Sequence, residues 1–395
     1  MLADRKLFTL VSILIGISII LTYSLSSYVT LLFGVKEFHF AIRQAAFGVL
    51  GIILMWSIAQ LDPDKHLTPI GFTLFIVSAF LMAAMPFLPE SLVSAVGGAK
   101  RWIKVAGFSL APVEFFKVGF VFFLSWSFSR KLNSHNGMSI KEEILRVWQY
   151  IFLFGLAVAA IAVFQKDLGQ VFVLGITFLI LLLFGGSSFR LFFSLLSAAI
   201  LGLIVLILFF PHRMKRIMSW WSGKQDSILA HLPDFISDKL RIPVDEIPYQ
   251  IGHSLNAIHH GGFFGTGMAN GTFKLGFLSE VHTDFVLAGL SEEFGFIGVF
   301  TVAFIFLWMV LRIFKIANRT EDKTIYLFCV GIAILLSSTF MLNAYGISGL
   351  TPIKGISVPF LSYGGSATIA ASIGIGMVLM ASKKAVKKSK GEIKK

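Results

Sequence analysis

Apolar residues fall into long unbroken blocks separated by short polar stretches. The first block runs from Leu7 to about Phe33, and others begin near residues 40, 69, 109, 148, 168, 190, 284, 323 and 357. A helix needs roughly 20 apolar residues to cross a bilayer core of about 30 Å, so the pattern predicts about ten transmembrane helices. The first block is too long for a signal-peptide core of roughly 7 to 15 residues, and no small-residue cleavage site follows it. It is expected to be retained as the first span. One long interruption, from about Pro211 to Thr283, separates the seventh block from the eighth. The expected fold is an all-α polytopic integral membrane protein with a large extracytoplasmic loop at about 211–283 between spans 7 and 8. Without an internal repeat or low-complexity linker, residues 1–395 read as one integral membrane domain ending in a basic tail at about 383–395.

Composition agrees with the pattern. Hydrophobic residues make up 56% of the 395 and charged residues 14%, with a mean hydropathy of +0.82. A water-soluble surface cannot be assembled from such a chain. The single cysteine, Cys329, lies inside an apolar block, which excludes an intramolecular disulfide.

A net charge of +13 would suggest nucleic acid in a soluble protein, but here the basic residues must first be sorted by side. With both termini cytoplasmic, the inside segments hold 19 of the 34 Lys and Arg, including Arg5, Lys6, Arg130, Lys131, Arg312, Lys315, Arg319 and the seven lysines of the tail. This bias supports the orientation, and anionic membrane lipid accounts for the tail without nucleic acid. On the opposite side the segment GGAKRWIKVAG places Lys100, Arg101 and Lys104, and the long loop adds Arg213, Lys215, Arg216, Lys224, Lys239, Arg241 and Lys274. Positive charge placed against the bias points to an anionic ligand there. For the long loop an ordinary solvated segment explains the charge equally well. Trp220 and Trp221 fit an interfacial helix on the outer leaflet.

Several acids stand close to a membrane helix. Asp284, in HTDF, sits where the long loop re-enters the membrane, and two readings fit it equally. A carboxylate in a dry interfacial position has a raised pKa and can act as a general base; an Asp at a helix start can also be a plain N-cap. Glu292 and Glu293 lie about two turns deeper by helical rise, and each needs a cation or a proton. Glu114 and Lys117, spaced i, i+3 in APVEFFKVGF, can neutralise each other on one helix face. In TPIKGISVPFLSYGGS, Gly364 and Gly365 allow backbone to approach a helix or a ligand. Irregular backbone at this depth must be buried in protein or line a cavity.

Other chemistries are set aside. The acids of DPD, Asp62 and Asp64, stand in a short turn without an α/β domain. His259 and His260 are adjacent and diverge. There is no P-loop and no G-x-S-x-G elbow. No outward cluster has clear metal spacing, which leaves open whether a divalent cation such as Mg2+ assists at this site.

Five motifs in order, GAKRWI…EFFK, KDLG, YQIGHSLNAI…GGFFGTG, HTDFVLA…EEFG and PIKG…PFLSYGGS, resemble the shape, elongation, division and sporulation family, whose members include FtsW and RodA. The resemblance covers nearly the whole chain. It implies a peptidoglycan glycosyltransferase of the cytoplasmic membrane that polymerises lipid II at the outer face, working with a class B penicillin-binding protein transpeptidase and other division proteins. It implies Asp284 as the catalytic acid, with Lys100, Arg101 and Lys117 about the substrate diphosphate. Glu114, Lys274, Glu292, Glu293, Lys354, Ser362, Gly364 and Gly365 are expected to support the site. Lys274, Lys354 and the HRMKRI run resemble FtsW more than RodA. Lys166 stands where the family usually has proline, Val113 where it has serine, and Ser279 where it has proline; the stretch 222–246 looks longer than usual. A lipid II flippase and a scaffold that only positions the transpeptidase are the rival functions, the first favoured by the intramembrane charges.

Overall fold

The computed structural model describes residues 3–385 apart from 33, 35, 90, 97–98, 106–107, 133–138, 210, 244–248, 279 and 353–354. Ser279, Lys354 and most of the basic tail lie outside the described residues. In chain order the helices are α1 (Arg5–Leu25), α2 (Ser27–Leu32), α3 (His39–Gln60), α4 (Pro63–Ala84), α5 (Pro112–Lys131), α6 (Ile140–Ala159), α7 (Leu168–Gly185), α8 (Phe189–Leu208), α9 (Pro211–Ser222), α10 (Gln225–Leu229), α11 (Asp234–Leu240), α12 (Tyr249–Gly261), α13 (Val286–Ala317), α14 (Lys323–Ile347) and α15 (Gly365–Ala381). Nine helices among the described residues have the length and hydropathy of a membrane span. The expected ten differ from these by α5, which carries Glu114, Lys117, Arg130 and Lys131 along its 20 residues.

Polar residues between the apolar blocks start the helices. Asp4, Asp62, Ser139, Asp167, Ser188 and Asp322 each accept a backbone N–H as N-caps, and Ser139 with Glu142 forms a capping box. Packing then sorts the apolar helices by depth. α14 is 72% buried within the protein and packs on α5, α7 and α13, whereas α8 is 6% buried and touches chiefly α7, α9 and α6. α8 therefore presents its side chains to lipid, and α5 and α14 form the centre.

Two features depart from a plain helical bundle. The segment around GAKRW is a three-stranded antiparallel sheet, β1 (Val93–Val96), β2 (Ala99–Val105) and β3 (Phe108–Leu110), with Val93 and Ile103 packed on Met85. The long loop is largely helical as well. In α9 the ring N–H of Trp220 donates to the Gly349 carbonyl at 2.8 Å and that of Trp221 to the Leu240 carbonyl at 2.9 Å. Both indoles are thus held by the protein itself.

The eighth expected span is not one continuous helix. Its 32 residues would measure about 48 Å, well beyond a bilayer core, and the backbone breaks at Gly295, with φ 64° and ψ −163°. The segment 261–267 inserts at the break. Thr266 and Gly267 donate their N–H groups to the carbonyls of Glu292 and Glu293, while Phe296 and Ile297 donate theirs to the carbonyls of Gly262 and Phe263. The inserted segment and the broken helix thus satisfy one another's backbone groups, which an apolar environment requires. Residues 296–317 span about 33 Å on their own, so Glu292 and Glu293 belong to the end of the bundle that carries the long loop. They are buried in protein there, not at mid-membrane depth.

Candidate functional site

Asp284 lies in a tight turn, where its N–H and that of Phe285 both donate to the Glu280 carbonyl. The N-cap residue of α13 is Phe285, and no side chain caps that helix. The capping reading of Asp284 therefore fails. Among the described residues its carboxylate accepts no hydrogen bond. The turn is held from outside: Asn343 of α14 donates to the carbonyls of Asp284 at 2.7 Å and Ile356 at 2.6 Å. Ser362 donates to the Thr283 carbonyl at 2.5 Å and accepts from the Val358 N–H, and the Tyr363 N–H donates to the His282 carbonyl. The segment 355–363 thus holds the two residues before the acid, and Asn343 holds the acid's own carbonyl.

Gly355 has a specific part in this. A Cβ there would lie 2.6 Å from Asp284 Oδ2, so any other residue would push the carboxylate from this position. Burial pushes the Asp284 acid up to about 7, helped by the negative charges of Glu280 and Asp167 and opposed by Arg101. Asp167 is also raised by burial, with Arg101 opposing. His282, between the rings of Phe40 and Tyr363, is pushed down by burial and is neutral near pH 7.

Beside this acid a cavity of about 300 Å³ is lined by Arg101, Lys166, Asp167, Arg216 and Gly355 together with Phe172, Leu203, Ile207 and Leu342. Arg101 Nε donates to the Gln165 carbonyl at 2.8 Å and Nη2 to that of Lys166 at 3.2 Å, and Nη1 lies 4.0 Å from Asp167. Lys166 has φ 51°, a conformation closed to the proline usual in the family. Arg101 holds this turn with two of its donors.

The other expected site residues separate into three groups. Lys100 donates to the carbonyls of Pro86 and Leu88, away from the partners of Arg101, as adjacent strand residues do. Lys117 pairs with Glu114 at 2.8 Å, and Glu114 also accepts from Gln170 at 3.0 Å; this buried group adjoins Asp167, whose ionisation it influences. Lys274, 2% exposed, pairs with Glu293 at 2.6 Å, and Ser24 of α1 donates to the same carboxylate. Glu292 accepts from the backbone N–H groups of Thr272 and Phe273 and lies 3.2 Å from His260 Nδ1. Lys274, Glu292 and Glu293 therefore pin the long loop to the broken helix. Gly365 admits the ring of Phe47, which a Cβ would meet at 2.6 Å, while a Cβ at Gly364 would meet nothing closer than 3.8 Å.

Sequence reasoning passed over Asp167, Glu280, Asn343 and Gly355. Asp167 is a helix cap and reads as nothing more. The signal for Asn343 was a lone amide in an apolar helix, which must find partners when buried. Among the described residues no three His, Cys, Asp or Glu side chains gather as a metal would need.

The fold is that of a polytopic membrane protein, with a cavity of mixed cationic and apolar lining beside an acid raised to about 7. The sequence matches the cell cycle protein family of FtsW, RodA and SpoVE over residues 4–387, and the chain belongs to that family. Among its relatives is a probable peptidoglycan glycosyltransferase FtsW of Helicobacter pylori strain 26695, 45% identical over 380 residues that cover 96% of this chain and 98% of the relative. Another of the same description, from Geobacter sp. strain M18, is 30% identical and covers 95% of each chain. A chain of a peptidoglycan synthase complex that coordinates polymerization and crosslinking aligns with a TM-score of 0.71 at 21% identity, covering 96% of this chain and 98% of that one. The rod shape determining protein RodA of Thermus thermophilus aligns at 0.62 and 20% identity, covering 98% of both. At such identities the likeness is one of fold.

Proposed function

We propose that this chain is a peptidoglycan glycosyltransferase of the FtsW type, polymerising lipid II for septal wall synthesis, with Asp284 as general base. The observation that carries the reading is the Asp284 carboxylate itself. It accepts no hydrogen bond among the described residues, its acid is raised to about 7, and it adjoins a cavity lined by both cations and apolar side chains. A pKa near the working pH is what a general base requires. In this scheme Asp284 takes the proton from the C4 hydroxyl of the acceptor N-acetylglucosamine as that oxygen attacks C1 of the donor N-acetylmuramic acid. The C1–O bond to the diphosphate breaks on the opposite face, with inversion, and the diphosphate leaves with its electron pair. Arg101 and Arg216 line the cavity where that charge develops. Phe172, Leu203, Ile207 and Leu342 suit the first isoprene units.

The end of the bundle that bears the long loop faces outward in this reading, in agreement with the cations of the opposite end and tail. The expected partner is a class B penicillin-binding protein, in keeping with the synthase complex whose chain shares this fold. The whole chain acts as one integral unit, since α12 packs on α13 and α14.

Purified protein with labelled lipid II, with and without the transpeptidase, tests the proposal. Wild type should form polymer, and Asp284→Asn should remain folded and lose about two to four orders of magnitude in rate. Near wild-type polymerisation by that variant would place the base elsewhere. A flippase would move labelled lipid II and form no polymer.

A further inference from the structure

The opposite end of the bundle holds a second polar cavity, of about 500 Å³, where the start of α1 meets the ends of α13 and α15. Arg5, Lys6, Arg312, Lys315 and Arg319 line it, against the single carboxylate of Asp4. That carboxylate is already engaged. It lies 2.7 Å from Arg312 Nη2, accepts from Arg312 Nε at 2.8 Å and caps α1 through the Leu7 N–H. The Asp4 N–H donates to Ser382 Oγ, which ties the three helix ends together. Arg5, Lys6, Lys315 and Arg319 have no carboxylate partner among the described residues. The positive end of the α1 dipole adds to their field.

We propose that this cavity is a binding site for the phosphate headgroup of an anionic phospholipid, distinct from the polymerisation site. A fixed cluster of cations at the ends of membrane helices matches phosphate oxygens at headgroup level. A lipid is favoured over a soluble phosphate by what lies beside the cavity. Leu307 and Leu311 of α13, 53% and 55% exposed, stand at i, i+4 spacing in line with Lys315, and Trp308 is 48% exposed beside them. An acyl chain laid along this apolar row brings its headgroup to Lys315, and the indole sits where interfacial aromatics gather.

Cardiolipin is the probe, because its two phosphates suit several cations. The full chain, purified in neutral detergent, is incubated separately with cardiolipin, phosphatidylcholine and inorganic pyrophosphate, and bound species are read by native mass spectrometry. Cardiolipin should be retained in preference to phosphatidylcholine, and pyrophosphate should neither bind comparably nor displace it. Each cation at a headgroup contributes about a factor of five, so Lys315→Gln with Arg319→Gln should weaken cardiolipin roughly 25-fold. Lys141→Gln with Arg146→Gln, at the start of α6, should change it little. Equal retention of phosphatidylcholine, displacement by pyrophosphate, or unchanged binding in the Lys315/Arg319 variant overturns the proposal. The wild-type comparison holds whether or not the variant folds.

Discussion

At Asp284 the same burial that prepares a base works against the fold. An ordinary aspartate ionises near 3.8, and here the acid is raised to about 7. Between those values the native state holds a proton that the unfolded chain has released, so stability falls as pH rises across the window and stays lower above about 7. Asparagine cannot ionise and escapes that loss. Asp284→Asn is therefore expected to melt higher than wild type at pH 8 in detergent, with the gap narrowing toward pH 5; an equal or lower melting temperature at pH 8 would show that the acid is not raised. In the proposed reaction the base must be ionised, so kcat/KM for lipid II should fall below about pH 7 and level off above it. How much of this was legible differs residue by residue. Position alone marked Asp284, yet base and cap were inseparable, because Asp suits both and the capping residue, Phe285, has nothing to cap with. Glu114 with Lys117 was legible from i, i+3 spacing and pairs as expected. Asp167 was not, because its backbone role hides its proximity to Arg101.

The elements were read well where hydropathy decides and poorly where backbone geometry does. Apart from Ser291, Glu292 and Glu293, VLAGLSEEFGFIGVF is apolar on both sides of Gly295, so hydropathy sees one span and misses the break. Nor does periodicity reveal the sheet, although VSAV and AKRWIKV separated by Gly97 and Gly98 have the spacing of a hairpin. The break gives a sharp comparison between neighbouring glycines. Gly262 and Gly265 both have positive φ, 53° and 83°, so alanine costs about 1 to 2 kcal/mol of backbone strain at either. Beyond that, a Cβ at Gly265 would meet the Glu293 carbonyl oxygen at 2.3 Å, while one at Gly262 meets nothing within 4 Å. Gly265→Ala should lower the melting temperature clearly more than Gly262→Ala and should reduce polymerisation with it, because the loop packs on α13, which begins two residues after the acid. Equal losses would mean that the segment 261–267 does not enter the break.

Across the whole molecule α1 is fastened to α13 at both ends, by an ion pair at one and by a hydrogen bond to a buried ion pair at the other. At the cationic end Asp4 meets Arg312, with side chains 11% and 20% exposed. At the end bearing the long loop Lys274 meets Glu293, 2% and 0% exposed, with Ser24 of α1 donating to the same carboxylate. The family resemblance suggested Lys274 as a support for the site, and its position gives the support a physical form: it locks α1, the long loop and the broken helix together. The hydropathy pattern could not supply this, since it places helices without saying which ones touch. Removing one member of a buried pair strands the other charge, which costs about 3 to 5 kcal/mol, whereas removing both charges with shape retained costs far less. Lys274→Met should accordingly lower thermal stability in detergent much more than Asp4→Asn, whose pair is better screened. Lys274→Met combined with Glu293→Gln should recover a substantial part of the loss. If the double variant is as unstable as the sum of the two single variants, the two side chains do not interact, and another contact holds α1 against the loop.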